Sequence, residues 1–157
     1  MTRLSPAAIR GLADFLALGP SLVLGTCDET GKPEVVRCGA ARVTPDGRLR
    51  ILVPMPEGRR SVANLTATGR GALAAALASN YRTVQVKGRD AALVRWPEHH
   101  SAAQEHLAAF GAQHIRAGVP GELHLAMWSR RFTVVDLTPE ELFDQPPGPT
   151  AGHGVPG

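Results

Sequence analysis

The sequence predicts a mainly β fold, a small antiparallel barrel with helices only at its ends and crossovers. Apolar runs of strand length recur at short spacing between turn signals rich in Gly, Pro and Asp. Helical periodicity is confined to three segments, near the N-terminus, around Val62 and after Pro97. Strands that follow one another without regular helical crossovers argue against a βαβ fold. The 157 residues are the length of one domain, and folding at that size buries roughly two-thirds of the unfolded surface.

Each element has a local reason. Ser5 caps a first helix, Pro6 fits its first position, and Ile9, Leu12, Ala13 and Leu16 share a face until Gly19-Pro20 stops it. Residues 21–27 and 33–43 read as strands joined through the turn Asp28-Glu29-Thr30-Gly31. Thr44-Pro45-Asp46-Gly47 turns the chain into a strand over 48–53, in which Leu49, Ile51 and Val53 alternate to one side. A short helix follows over 58–68, with Val62 and Leu65 inward and Gly69 as its stop. Residues 71–79 and 82–96 form two more strands, although alanines in the first favour helix. Pro97 opens a helix with Ala103, Leu107 and Phe110 on one face. Residues 122–129 and 131–137 close the sheet, as a hairpin or one bent strand. Eight of the last twelve residues are Pro or Gly, so 146–157 is read as a mobile tail or an arm on a partner, and 1–145 as the folded domain.

Composition excludes several functions. No apolar run approaches the roughly 18 residues of a membrane span, and no signal-peptide stretch opens the chain. Cys27 and Cys38 alone cannot make a disulfide scaffold, and a cytoplasmic location is expected. Net charge is +3, and 15 of the 17 basic residues are arginine. That bias fits GC-rich codon usage or phosphate recognition. With no run of five basic residues and 4% aromatics, a nucleic-acid role is poorly supported.

The order of these segments, GTCDETGKPEVVR, TPDGRL, RILVPM, EGRRSVANL, YRTVQVKGRD and the ending LFDQPPGPTAG, resembles the pyridoxamine 5'-phosphate oxidase-like, FMN-binding split-barrel family over roughly residues 10–150. The resemblance implies a homodimer of six-stranded antiparallel Greek-key barrels, with FMN bound at the subunit interface. It implies an oxidoreductase. The C-terminal Arg-x-His of the true oxidases is absent, since Arg130-Arg131-Phe132 has no histidine at that spacing, so oxidation of pyridoxamine phosphate itself is not expected.

Candidate cofactor residues follow from both routes. Arg59 and Arg60 open a helix whose free amides and dipole favour an anion, and the resemblance places phosphate there; Ser61 adds a hydroxyl. Arg37 puts a charge into a small apolar strand, on the alternation face of Val35, Gly39, Ala41 and Val43. On a buried face it needs an anionic partner, whereas on an edge strand it merely reaches solvent. The resemblance implies that Arg37 contacts the flavin and that its neighbours, Cys38 and Gly39 among them, line the cofactor through backbone groups. Gln85, out of phase with Val84 and Val86, offers a donor and an acceptor together, and the resemblance implies a ring contact for it. Trp128 is a further contact by resemblance, against the ordinary role of a core or interface anchor. His99 and His106 are about 10.5 Å apart along a helix axis, so no metal site is expected, and no catalytic residue is assigned. The alternative readings are a flavin-sensing module without turnover, or a deazaflavin- or haem-binding protein of the same fold.

Overall fold

A computed structural model of the chain describes residues 4–120 and 131–156. The elements run α1 (Pro6–Ala17), β1 (Ser21–Cys27), β2 (Pro33–Arg37), β3 (Ala40–Val43), β4 (Leu49–Pro54), α2 (Arg59–Thr68), β5 (Gly71–Ala76), β6 (Thr83–Val94), α3 (His99–Arg116), β7 (Phe132–Asp144) and β8 (His153–Gly154). All strand pairs are antiparallel, in the order β2-β1-β5-β6-β7-β4-β3, with β8 added to β7.

Among the described residues the sheet therefore has eight strands rather than six; the predicted strand over 122–129 lies outside them. The predicted strand over 33–43 is broken at Cys38-Gly39, where the chain changes partner. The Cys38 amide still donates to Leu22 O of β1 at 3.0 Å, while the Gly39 amide donates to Leu52 O of β4 at 2.9 Å. The two ends of the sheet are thus joined covalently, and it curls into a barrel. Cys38, Gly39, Ala40 and Ala41 are buried in succession, so alternation fails through the crossing. Arg37 consequently does not share a face with Ala41; it lies on the exposed side of an edge strand. The eighth strand comes from the Pro/Gly-rich ending, where Val155 N donates to Leu142 O at 2.8 Å and its side chain packs on the core.

The barrel interior is filled by Leu22, Leu24, Leu49, Ile51, Leu73, Val86, Val135 and Leu137, which are almost fully buried. Helix α1, capped by Ser5 Oγ accepting from Ala8 N at 3.1 Å, closes on this core with Leu12, Phe15 and Leu16. Its exit is held by α3. Gly19 has φ +76 and no room for a Cβ against Ala109 and Phe110. Gln113 Nε2 donates to Leu18 O at 3.2 Å, and His106 Nε2 meets Pro20 O at 2.9 Å. The buried face of α3 therefore carries His106 and Gln113, while Leu107 is only half-buried. Across β4 and β7, buried Asp136 takes two 2.7 Å bonds from Arg50, whose guanidinium is held above the ordinary arginine range by that pairing.

Gly39 packs under the Phe132 ring, where a Cβ would collide. Gly39→Ala should lower stability by about 1–3 kcal/mol through overpacking. Urea denaturation checks this; an unchanged midpoint would mean the ring can move aside.

Burial holds the His106 imidazole below the ordinary histidine range, against a smaller opposing effect of the Pro20 bond. The unfolded chain then binds the proton more readily. Stability present above about pH 6.5 is lost as pH falls through the window beneath it. His106→Gln keeps a donor for Pro20 O, and its melting temperature should fall less than the parent's between about pH 7.5 and 5. Parallel curves for the two proteins would contradict this.

Candidate functional site

Helix α2 begins where β4 ends, and glycine is required at the join. A Cβ on Gly58 would collide with Val53 and approach Pro54 O at 2.7 Å. Gly58 also leaves the helix start without a side-chain cap. The Arg59 amide donates to Pro56 O at 3.1 Å, so among the first-turn amides those of Arg60 and Ser61 lack the usual acceptor oxygen. Arg59 and Arg60 are exposed at this electropositive end. Ser61 is fully buried, and its hydroxyl has no hydrogen-bond partner among the described residues. An unpartnered buried hydroxyl costs about 1–3 kcal/mol.

The helix is tied to the β1–β2 hairpin. Asn64 Nδ2 donates to buried Thr26 Oγ1 at 3.1 Å, and Arg60 Nη1 lies 3.7 Å from Glu34 Oε2 of β2.

A second group of predicted residues is assembled by strand register. Arg37, Val23, Ala74 and Gln85 are successive cross-strand partners, and Gln85 is in turn opposite Phe143. Partners in a row share a face, and three strand spacings put Arg37 about 14 Å from Gln85. The neighbouring rows are Val35, Gly25, Ala72 and Lys87 on one side, and Ser21, Ala76 and Thr83 on the other. Leu22, Leu24, Val36, Leu73, Ala75, Val84 and Val86 fill the opposite, buried face of these strands. Arg37 and Gln85 thus flank an outer floor of small residues. Arg37 Nη2 donates to Ser21 Oγ at 3.3 Å, and Val23 and Val35 are 37% and 67% exposed.

The two groups stand on opposite faces of β2. Glu34 and Val36 turn toward α2, while Val35 and Arg37 turn outward. Because β2 is an edge strand, the groups meet only around its free edge.

Cys38 and Gly39 form the wall between. The Cys38 thiol is buried and pushed up to about 12 by desolvation, so it is not a nucleophile at neutral pH. Both residues are buried, and both amides are already bonded within the sheet. Cys27 is exposed at the far end of the hairpin, opposite Pro33, and does not face Cys38. Trp128 lies outside the described residues. Among the described residues no group of three or more His, Cys, Asp or Glu is placed to hold a metal ion, and no helix is long and apolar enough to cross a membrane. A cavity of about 350 Å³ between α1, β3 and α3, bordered by Arg42, Glu105 and His106, contains none of the predicted residues.

Two features escaped the sequence reading. Glu34 carried no motif. The floor was signalled by the strict alternation of Ala72, Ala74 and Ala76 with the inward Leu73, Ala75 and Leu77.

No protein-family model and no curated protein matches the chain. Solved structures do match. An FMN-binding protein of Syntrophomonas wolfei is 15% identical with a TM-score of 0.52, over 88% of this chain and 88% of that one. A candidate pyridoxamine 5'-phosphate oxidase of Lactobacillus delbrueckii is 18% identical with a TM-score of 0.52, over 90% and 93%. HutZ, the haem storage protein of Vibrio cholerae, is 18% identical with a TM-score of 0.51, over 91% and 95%. At such identities the likeness is one of fold, and with the antiparallel order and the crossing at Cys38-Gly39 it identifies the chain as a split barrel of the pyridoxamine 5'-phosphate oxidase-like fold.

Proposed function

We propose that the chain is a flavoprotein that binds FMN as a homodimer and serves two-electron oxidoreduction of a small molecule. The observation that carries this reading is the first turn of α2, which combines an uncapped helix start, two exposed arginines and the buried, unpartnered Ser61 hydroxyl. A phosphate monoester fits that set, accepting from first-turn amides and from planar guanidinium forks. Around the free edge of β2, the floor of Val23, Gly25, Ala72 and Ala74 suits one face of an aromatic ring system. Gln85 offers both donor and acceptor to ring carbonyl and N–H groups, and Arg37 stands at the other end of the row. FMN, when bound, supplies the electron-transfer chemistry; the chain binds and orients it.

The floor supports one face only. Exposed Val23 and Val35 mark it as a surface that calls for cover, and a second copy related by a two-fold axis supplies that cover. No acid or base of this chain is assigned a catalytic role.

The purified protein should show the two-banded visible spectrum of a bound or added flavin; a Soret band in its place would favour haem. Each charge-assisted bond to phosphate is worth about 1.5–3 kcal/mol. Replacing Arg59 and Arg60 together by alanine should therefore weaken FMN at least about tenfold, while riboflavin binding stays nearly unchanged. Equal weakening of both ligands in a fluorescence titration would remove phosphate from this end of α2.

Sedimentation should show a dimer with an interface of roughly 2,000 Å² or more. Val35→Asp, which places a charge on the outer floor, should shift the protein toward monomer and lower flavin affinity. A monomeric parent protein that binds FMN at full stoichiometry would overturn the dimeric site.

A further inference from the structure

We propose that Glu34 is a built-in competitor for the phosphate: it holds Arg60 in the ligand-free chain, tempers FMN affinity and thereby sets how strongly the site prefers phosphorylated over unphosphorylated flavin. This rests on the phosphate reading of the α2 start given above.

The pair is asymmetric. Glu34 belongs to the β1–β2 ladder, opposite Thr26, whose hydroxyl is itself fixed by Asn64 of α2. Its side chain is 30% exposed, while that of Arg60 is 74% exposed, and the two meet at 3.7 Å. The carboxylate is therefore the anchored member and the guanidinium the movable one. Arg59 has no ion-pair partner among the described residues, so of the two arginines only Arg60 must be released. An incoming phosphate has to draw Arg60 from Glu34, and then remains beside a carboxylate of like charge. Both effects weaken an anionic ligand and neither acts on a neutral one. Glu57, the other acid near this helix start, is exposed and pairs with no cation among the described residues. The consequence is an exchangeable flavin, released more readily than two arginines alone would allow.

The size of the effect is that of an exposed ion pair, about two- to fivefold in affinity. Fluorescence titration of the full chain with FMN and riboflavin reads it directly. Glu34→Gln should tighten FMN by that factor and leave riboflavin unchanged. The same substitution made in an Arg60→Ala background should lose most of the gain, because the cycle isolates the pair. Unchanged or weaker FMN binding, or equal tightening of riboflavin, would overturn the proposal. Loosening of the hairpin would weaken both ligands together and counts against it as well. If the arginine variants discriminate FMN from riboflavin and Glu34→Gln does not, the role of Glu34 falls and the phosphate site stands. If the arginine variants do not discriminate, the phosphate site falls first.

Discussion

The structure depends on one crossing. Between Arg37 and Ala40 the chain leaves β1 and joins β4, with consecutive amides donating to opposite sides of the barrel. That change of partner makes the two ends of the sheet parts of a single segment, so the sheet must curl and enclose a lumen. The lumen is then filled by leucine, isoleucine and valine from every long strand and closed by α1. The crossing tolerates little variation in size, because Phe132 lies where a side chain at Gly39 would be. It also fixes β2 as an edge, and the edge separates the two halves of the candidate site.

This geometry gives β2 two distinct faces with different chemistry. One turns Glu34 and Val36 to the start of α2, and the other turns Val35 and Arg37 to the outer floor. The glycine at position 58 is needed for a steric reason, close approach to Val53 and Pro54, yet the same residue leaves the helix start uncapped and electropositive. A packing requirement thus creates the anion-binding potential. On the outer side a similar coupling holds. Leu73 and Ala75 must face the lumen, which sends Ala72, Ala74 and Ala76 outward and leaves a floor of small residues between Arg37 and Gln85.

Local chemistry made much of this legible from the sequence. Ser5, Pro6 and Gly19-Pro20 delimit α1, and Gly69, with φ +69, ends α2 as a left-handed cap should. The strand segments along the chain up to Val94 followed from turns and alternation. The break at Cys38-Gly39 did not, because both flanking runs are apolar and strand-like, and the change of partner is set by β4, a tertiary neighbour. The face of α3 was legible in part: Ala103 and Phe110 are buried as expected, while Leu107 is only half-buried. Periodicity favours Leu107, but the carbonyls of Leu18 and Pro20 at the end of α1 need donors, and His106 and Gln113 are buried to supply them. Hydrophobic patterning has no term for a carbonyl on another element. Glu34 was invisible in the same way, since an acid on an edge strand gains meaning only when a helix brings Arg60 to it.

The arginine-rich composition also reads differently once partners are known. Arg48 and Arg50 serve Asp136, Arg42 pairs with Glu105, and Arg70 and Arg89 share Glu140. These arginines brace strands and turns, so their number says nothing about an anionic ligand. What distinguishes the start of α2 is the arrangement there. Arg59 has no acidic partner among the described residues, Arg60 has one at 3.7 Å, and both flank a helix end without a cap and a hydroxyl without a partner. Charge that the fold has already neutralised contributes little to recognition, since a ligand must first displace the neutralising group. Recognition is concentrated where neutralisation is incomplete, and among the described helix starts bearing arginine that condition is met at α2.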